Sequence, residues 1–136
     1  MEKDKVPRLL LVEDDAAIRQ TLAEFLLMEG YVVSTATDGE QAFQKVTDFG
    51  PDLVISDILM PVCDGFQLAR RLSALPAPVP FLLMSGFGGE GDLGPLRDNP
   101  SFAGFVSKPI LIEDLLERIS ACLDRLKSAN PGSTGG

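Results

Sequence analysis

The run Asp52-Leu53-Val54-Ile55-Ser56-Asp57-Ile58-Leu59-Met60-Pro61-Val62-Cys63-Asp64-Gly65 decides how the rest of the chain is read. Leu53 to Ile55 is a short apolar run of strand character, and it delivers the carboxylate of Asp57 to the point where the strand must stop. Met60-Pro61 breaks the chain, and Asp64-Gly65 offers a cap to the apolar-periodic segment Phe66-Gln67-Leu68-Ala69-Arg70-Arg71-Leu72. Asp57 therefore lies at a strand-to-helix loop. In an open α/β sheet that is where ligands and chemistry collect, because the crevice lies outside the carboxyl ends of the strands.

Working outward, the same alternation repeats on both sides. Arg8-Leu9-Leu10-Leu11-Val12 is apolar on both faces, as a central parallel strand must be when helices cover the sheet above and below. It ends in Glu13-Asp14-Asp15, where Asp14 or Asp15 can cap a helix whose Ile18, Leu22, Phe25 and Leu26 fall on one stripe, and Gly30 stops that helix. Tyr31 to Ala36 is strand-like, and Asp38-Gly39 opens a second helix through Ala42, Phe43 and Val46 to Gly50-Pro51. Downstream, the proline-rich stretch from Leu75 to Pro80 ends the helix after Asp57, and Phe81-Leu82-Leu83-Met84 forms a fourth strand that stops at Ser85-Gly86.

From Phe87 to Pro100 the chain is loaded with glycine and proline, which cost about 1 and about 3 kcal/mol respectively inside a helix. A short or distorted helix, with mobility over 87–99, is expected there. Phe102 to Val106 is the fifth strand, followed by Ser107-Lys108-Pro109 and a helix from about Leu111 to Lys127. Its Leu115, Ile119, Cys122 and Leu126 form a stripe that Leu116 and Leu123 widen, enough for a core face alone or for core plus a partner surface, which leaves room for a homodimer. Five strand-helix alternations with short loops imply a five-stranded parallel sheet, wound right-handedly, with helices on both faces.

Composition narrows the function classes. At 136 residues, with 45% apolar and 24% charged residues, the chain reads as one globular domain over 8–127, flanked by an extension over 1–7 and a flexible tail or linker stub over 128–136. A net charge of −8 argues against nucleic acid as a direct partner and fits protein partners or metal cations better. Cys63 and Cys122 match no metal spacing and read as free thiols of a reducing cytoplasm. The mixed-charge start, with only a short apolar run behind it, is neither a signal peptide nor a membrane span, so a cytoplasmic, membrane-free protein is expected.

The strand ends carry the chemistry. Strand one ends in Glu13-Asp14, strand three in Asp57, strand four in Ser85 and strand five in Lys108. If strands one and three are neighbours, three carboxylates converge, and their repulsion needs a compensating cation. Oxygen ligands in small number with room for water suit Mg²⁺ better than zinc or a caged calcium. The plainer readings are helix capping and a solvated turn for Glu13-Asp14-Asp15, a surface lysine for Lys108 and a turn-forming residue for Ser85.

Taken in order, Val12-Glu13-Asp14, the run from Asp57 to Gly65, Met84-Ser85-Gly86 and Phe105-Val106-Ser107-Lys108-Pro109 resemble the receiver domain of two-component response regulators, over Arg8 to Lys127. The resemblance implies a flavodoxin-like receiver fold. It implies that Asp57 is the phosphoacceptor and nucleophile, taking a phosphoryl group from a phosphohistidine of a sensor histidine kinase, from a phosphotransfer protein or from a small donor. Such a domain catalyses its own phosphorylation and dephosphorylation. Asp14 and Asp57 would bind Mg²⁺ directly and Glu13 through water, with the Leu59 backbone carbonyl as a further ligand. Lys108 would pair with Asp57 and then with the phosphoryl group, aimed inward by a cis Lys108-Pro109 bond. Ser85 would bond the phosphoryl group, and Phe105 would follow it as the switch aromatic, an ordinary core Phe being the other reading. Leu59 and Phe87 would border the path of the hydrolytic water, and two apolar side chains there imply a long-lived phosphoryl group.

Other classes fit less well. A haloacid-dehalogenase-like phosphatase needs a second acid where Leu59 stands, a flavodoxin-like flavin site needs a phosphate-cradling loop where Glu13-Asp14-Asp15 stands, and a Walker loop is absent. The remaining alternative is a non-phosphorylated interaction module on the same fold. No helix-turn-helix, cyclase or methylesterase segment follows Lys127, so a stand-alone receiver or one excised from a larger protein such as a hybrid kinase is expected, with the downstream partner or output domain unidentified.

Overall fold

Strands form where the sequence is most continuously apolar. β1 (Arg8–Val12), β2 (Val32–Ala36), β3 (Leu53–Asp57), β4 (Phe81–Ser85) and β5 (Phe102–Ser107) alternate with α1 (Ala16–Met28), α2 (Gly39–Phe49), α3 (Gly65–Ser73) and α4 (Ile112–Ser128). The computed structural model describes residues 6–58, 65–85 and 99–128. Leu59, the loop to Asp64, Phe87 and the rest of the glycine-rich stretch to 98 lie outside the described residues, as do both chain ends.

The sheet order is β2-β1-β3-β4-β5 and every pairing is parallel. The chain therefore winds one way from β1 to β2 and then returns past β1 to place β3 on its other side. A reversal of this kind leaves a crevice between β1 and β3 at their carboxyl ends.

Two core layers follow from the alternation of side chains along each strand. Leu9, Leu11, Leu53, Ile55, Leu82 and Met84 face α1 and α4, where they meet Leu22, Leu26, Leu115, Ile119 and Cys122. Leu10, Val12, Val54, Phe81 and Leu83 face α2 and α3, where they meet Ala42, Val46, Leu68, Ala69 and Leu72. The central strands β3 and β4 are buried at every position, which is why Leu53–Ile55 and Phe81–Met84 read as unbroken apolar runs.

The helix starts are set by side-chain caps. Asp15 Oδ1 accepts from the Ile18 amide at 2.9 Å and Asp38 Oδ1 from the Gln41 amide at 2.8 Å, each satisfying an orphan donor of the first turn. Of the two candidates for α1, Asp15 is thus the cap. The stripe assigned to α1 needs correction: Leu22 and Leu26 are buried, whereas Ile18 and Phe25 are exposed. The two buried leucines lie one turn apart at i and i+4 and cover the sheet, and the neighbouring apolar positions fall at the rim of that face.

At the amino ends of the strands a clamp ties three segments together. The Arg8 amide donates to Asp52 Oδ2 at 2.8 Å, the Asp52 amide donates back to the Arg8 carbonyl at 2.7 Å, and the Arg8 side chain donates from Nε to the Phe49 carbonyl at 2.8 Å. Its guanidinium also lies 4.3 Å over the Phe49 ring. On the far side, Asn99 donates to Ser73 Oγ at 2.7 Å and accepts from the Ser101 amide, fastening the approach to β5 onto the end of α3.

β5 contains a bulge. Phe81 pairs with Phe102 but Leu82 with Gly104, so Ala103 is the extra residue. The bulge shifts the side-chain alternation by one, which is why Phe102 and Phe105, three apart, both pack toward α2 and α3. Gly104 has φ of +141°, and a Cβ there would lie 3.3 Å from Leu82 Cδ1. Gly104→Ala should therefore cost about 1–3 kcal/mol, through backbone strain together with crowding of Leu82. Gly50 ends α2 at φ of +65° with open space around it, so Gly50→Ala should cost only about 1 kcal/mol. Urea denaturation of the two variants measures the difference, and equal losses would show that contact with Leu82 adds nothing.

Candidate functional site

The register carries the acidic residues to one place. Val12 lies opposite Ser56 and Asp57 opposite Met84, so the first residues beyond β1 stand beside the last residue of β3. Oxygen atoms of Glu13, Asp14 and Asp57 all lie within 4.8 Å of one another, with Glu13 and Asp57 buried and Asp14 exposed. The sequence reading depended on β1 and β3 being neighbours, and they are.

Lys108 enters from the end of β5. Its Nζ lies 2.6 Å from Asp57 Oδ2 and 3.5 Å from Glu13 Oε1. The Lys108-Pro109 bond is cis. The Lys108 amide also donates to the Ser85 carbonyl at 2.7 Å, which ties the ends of β4 and β5 together. Ser85 itself is buried at the end of β4, one residue past the partner of Asp57.

The electrostatics show a deficit of positive charge. Burial pushes the Glu13 carboxyl up from 4.5 to about 7, against the lowering effect of the Asp15 amide, which donates to Glu13 Oε2 at 3.1 Å, and with the Asp57 charge adding to the rise. Lys108 is desolvated too, which disfavours its charge, but the hydrogen bond and charge of Asp57 and the charge of Glu13 outweigh this and hold its pKa above the ordinary lysine value. Among the described residues, Glu13 Oε1 is a buried oxygen with no hydrogen-bond donor. Among the described residues, the Lys108 ammonium thus pairs with two carboxyl groups, Asp57 and Glu13, with the Asp14 carboxyl beside them. Hard oxygen donors, one of them buried and unsatisfied, are a set that suits a small divalent cation.

Phe105 is half-buried against the α2/α3 core. Phe105, Val106 and Ser107 also line, with Asp114, Glu117 and Arg118 of α4, a groove of about 330 Å³ beside the site. Leu59 and Phe87, assigned from sequence to the metal shell and to the water path, lie outside the described residues. Sequence reading passed over Arg19 and Ser56. Arg19 Nη1 donates to the Glu13 carbonyl at 2.9 Å and the Asp14 carbonyl at 3.4 Å, and the signal for it was a cation one turn into the helix that follows an acidic turn. Ser56 Oγ donates to the Asp57 carbonyl at 2.8 Å. No helix among the described residues is long and apolar enough to cross a membrane.

Comparison with known proteins shows the family. Residues 9–120 match the response regulator receiver domain family. Response regulator MprA of Mycobacterium leprae is 34% identical over 129 residues, covering 88% of this chain and 52% of that protein. Transcriptional regulatory protein PrrA of Mycobacterium tuberculosis is 33% identical, covering 94% of this chain and 54% of that protein. The chain spans about half the length of these curated relatives. Among solved structures, a CheY-like response regulator receiver domain protein from Methanospirillum hungatei superposes with a TM-score of 0.83 at 26% identity, over 93% of this chain and all of that one. The receiver domain of a signal transduction histidine kinase from Syntrophus aciditrophicus gives 0.77 at 29% identity, over 90% and 93%. With its doubly wound sheet, its acidic crevice and its paired lysine, the chain belongs to the response regulator receiver domains of two-component signal transduction.

Proposed function

We propose that Asp57 is the phosphoacceptor of this receiver, and that the domain takes a phosphoryl group from a sensor histidine kinase or phosphotransfer protein in the cytoplasm and uses it to reshape a partner-binding face. The observation that carries the proposal is the Lys108 ammonium at 2.6 Å from Asp57 Oδ2, beside the Glu13 and Asp14 carboxyls. A nucleophilic carboxylate next to a fixed cation has what phosphoryl transfer mainly asks of a protein, which is positioning and charge neutralisation. In the reaction an Asp57 carboxylate oxygen bonds to phosphorus, the phosphorus–nitrogen bond of the donor phosphohistidine breaks, and neutral imidazole leaves after protonation.

Asp14 and Asp57 would hold Mg²⁺ directly, with Glu13 acting through water and the Leu59 carbonyl completing the protein's share. Bound there, Mg²⁺ supplies the positive charge that Lys108 alone does not. Lys108 passes from Asp57 to a phosphoryl oxygen, and Ser85 donates its hydroxyl to another. Because the Lys108 amide is bonded to the Ser85 carbonyl, a shift of Ser85 is felt at β5. Phe105 sits on that strand beside the groove shared with α4, so this face is where the signal would leave. The apolar Leu59 and Phe87 would slow hydrolysis by failing to orient a water. The working unit is taken as 8–127, with 1–7 and 128–136 as flanks, and its output partner or domain stays unassigned.

Asp57→Asn should abolish labelling by acetyl phosphate in Mg²⁺, and Lys108→Ala should slow it. Asp14→Asn should weaken Mg²⁺ binding by calorimetry about 10-fold or more, whereas Asp15→Ala should cost about 1 kcal/mol of stability and leave metal affinity near the parental value. Equal loss of metal affinity in both would place the ligands one residue away from this assignment.

Glu13 also makes metal-free stability depend on pH. An acid whose folded pKa is raised keeps its proton in the folded chain after the unfolded chain has lost it, so stability falls as pH rises from 4.5 to about 7. The full effect is up to about 3 kcal/mol. Urea denaturation in EDTA at pH 5 and pH 8 should show the parent losing more stability across this window than Glu13→Gln. Parallel profiles would mean that Glu13 titrates normally.

A further inference from the structure

We infer that Arg19 is a positioning residue for the Mg²⁺ site, holding the Glu13-Asp14 turn in the shape that lets its carboxyls converge on Asp57. This rests on the metal-binding reading of the site given above.

The turn between β1 and α1 has to do two things at once. It must present Glu13 and Asp14 within 4.8 Å of Asp57, and it must enter a helix at Asp15. Like charges brought that close repel, so a turn left to itself would relax by swinging the exposed Asp14 outward. The turn's own amides hold only part of it: the Glu13 amide donates to the Ala36 carbonyl at 3.1 Å and the Asp15 amide to the Glu13 side chain at Oε2 at 3.1 Å. Arg19 adds the link to the two ligand-bearing residues themselves. Its Nη1 bridges the Glu13 carbonyl at 2.9 Å and the Asp14 carbonyl at 3.4 Å, and its own amide donates to the Asp15 carbonyl at 2.9 Å as part of α1. The side chain thus reaches back across the first turn of the helix and fixes both peptide planes from a rigid element.

The guanidinium is held by backbone carbonyls and not by the carboxyls, which leaves the carboxylate oxygens available to a metal. It also creates a conflict that makes the idea testable. As a nearby positive charge, Arg19 must disfavour Mg²⁺ through Coulomb repulsion, so removing it has two opposite effects. Loss of the charge strengthens metal binding, and loss of the tether weakens it. If Arg19 positions the turn, the second effect wins.

The experiment is calorimetric titration of the full chain with MgCl₂ for the parent, Arg19→Met, Arg19→Lys, Asp14→Asn and Gly50→Ala. Met keeps the unbranched apolar stem and removes both charge and donors. Arg19→Met should weaken Mg²⁺ binding about 10-fold, within the range seen when partners that orient metal ligands are removed. Arg19→Lys, with the charge and one donor group kept, should fall between Met and the parent. Gly50→Ala, at the opposite end of the sheet, should bind as the parent does. In EDTA, amide hydrogen exchange at Asp14 and Asp15 should quicken in Arg19→Met relative to the core strands. Unchanged or tighter Mg²⁺ binding by Arg19→Met would show Arg19 to be only a neighbouring charge, and an equal loss in Gly50→Ala would show a general effect of stability. Both results overturn the inference while leaving the metal site intact, provided Asp14→Asn has lost affinity. Absence of Mg²⁺ binding in the parent would overturn the metal site and the inference together.

Discussion

One ammonium shared between two buried carboxyls is the constraint on which the rest of this structure depends. Lys108 reaches Asp57 at 2.6 Å and Glu13 at 3.5 Å. Bringing such groups out of water costs several kcal/mol per ion, and the attraction between them recovers that cost only when every lone pair and proton finds a partner. Here it is incomplete: among the described residues Glu13 Oε1 has no hydrogen-bond donor, and burial pushes the Glu13 carboxyl up to about 7. A cluster of this kind is poor material for stability. It is tolerated because the sheet beneath it is buried on both faces and supplies the stability the cluster lacks.

The fold delivers the cluster by topology. Reversal of winding after β2 puts β1 and β3 side by side with their carboxyl ends aligned, so residues 13, 14 and 57 meet although more than forty positions separate them. β4 and β5 extend the same edge and contribute Ser85 and Lys108, coupled by the Lys108 amide on the Ser85 carbonyl. Four of the five strands therefore contribute one short edge of polar residues to a sheet whose central strands are mostly apolar. The chemistry is confined to that edge because, below it, the fully buried strands β3 and β4 hold one polar side chain, Ser56, whose hydroxyl is spent on the Asp57 carbonyl.

Much of this is legible in the sequence. The runs at 9–12, 53–55 and 81–84 are apolar on both faces, which only a sheet covered above and below explains, and each ends in a polar residue at the place where a strand must end. The convergence of Glu13, Asp14, Asp57 and Lys108 followed once the strand order was supplied. What could not be read is equally instructive. Ile18 and Phe25 were placed on the buried stripe of α1 because apolar periodicity records a face of the helix but not its width, and the sheet needs only Leu22 and Leu26 from it. The bulge at Ala103 left no sign, since Ala-Gly within a strand reads equally well as regular pairing. Arg19 was missed because its partners are backbone carbonyls, which carry no side-chain signature.

The clamp around Arg8 gives the domain a mechanical polarity. At that end of the sheet, amide, carbonyl, guanidinium and ring are each matched to a partner, so local and global preferences agree. At the other end, among the described residues, Asp57 and Glu13 share Lys108 while the Asp14 carboxyl stands within 4.8 Å of theirs. In the language of energy landscapes, the amino end is minimally frustrated and the carboxyl end is not. Frustration localised in this way leaves one rim of the sheet sensitive to a change of charge while the opposite rim acts as its anvil. A change of charge at the frustrated rim then alters which of its groups are paired, while the clamped rim keeps the strands in register.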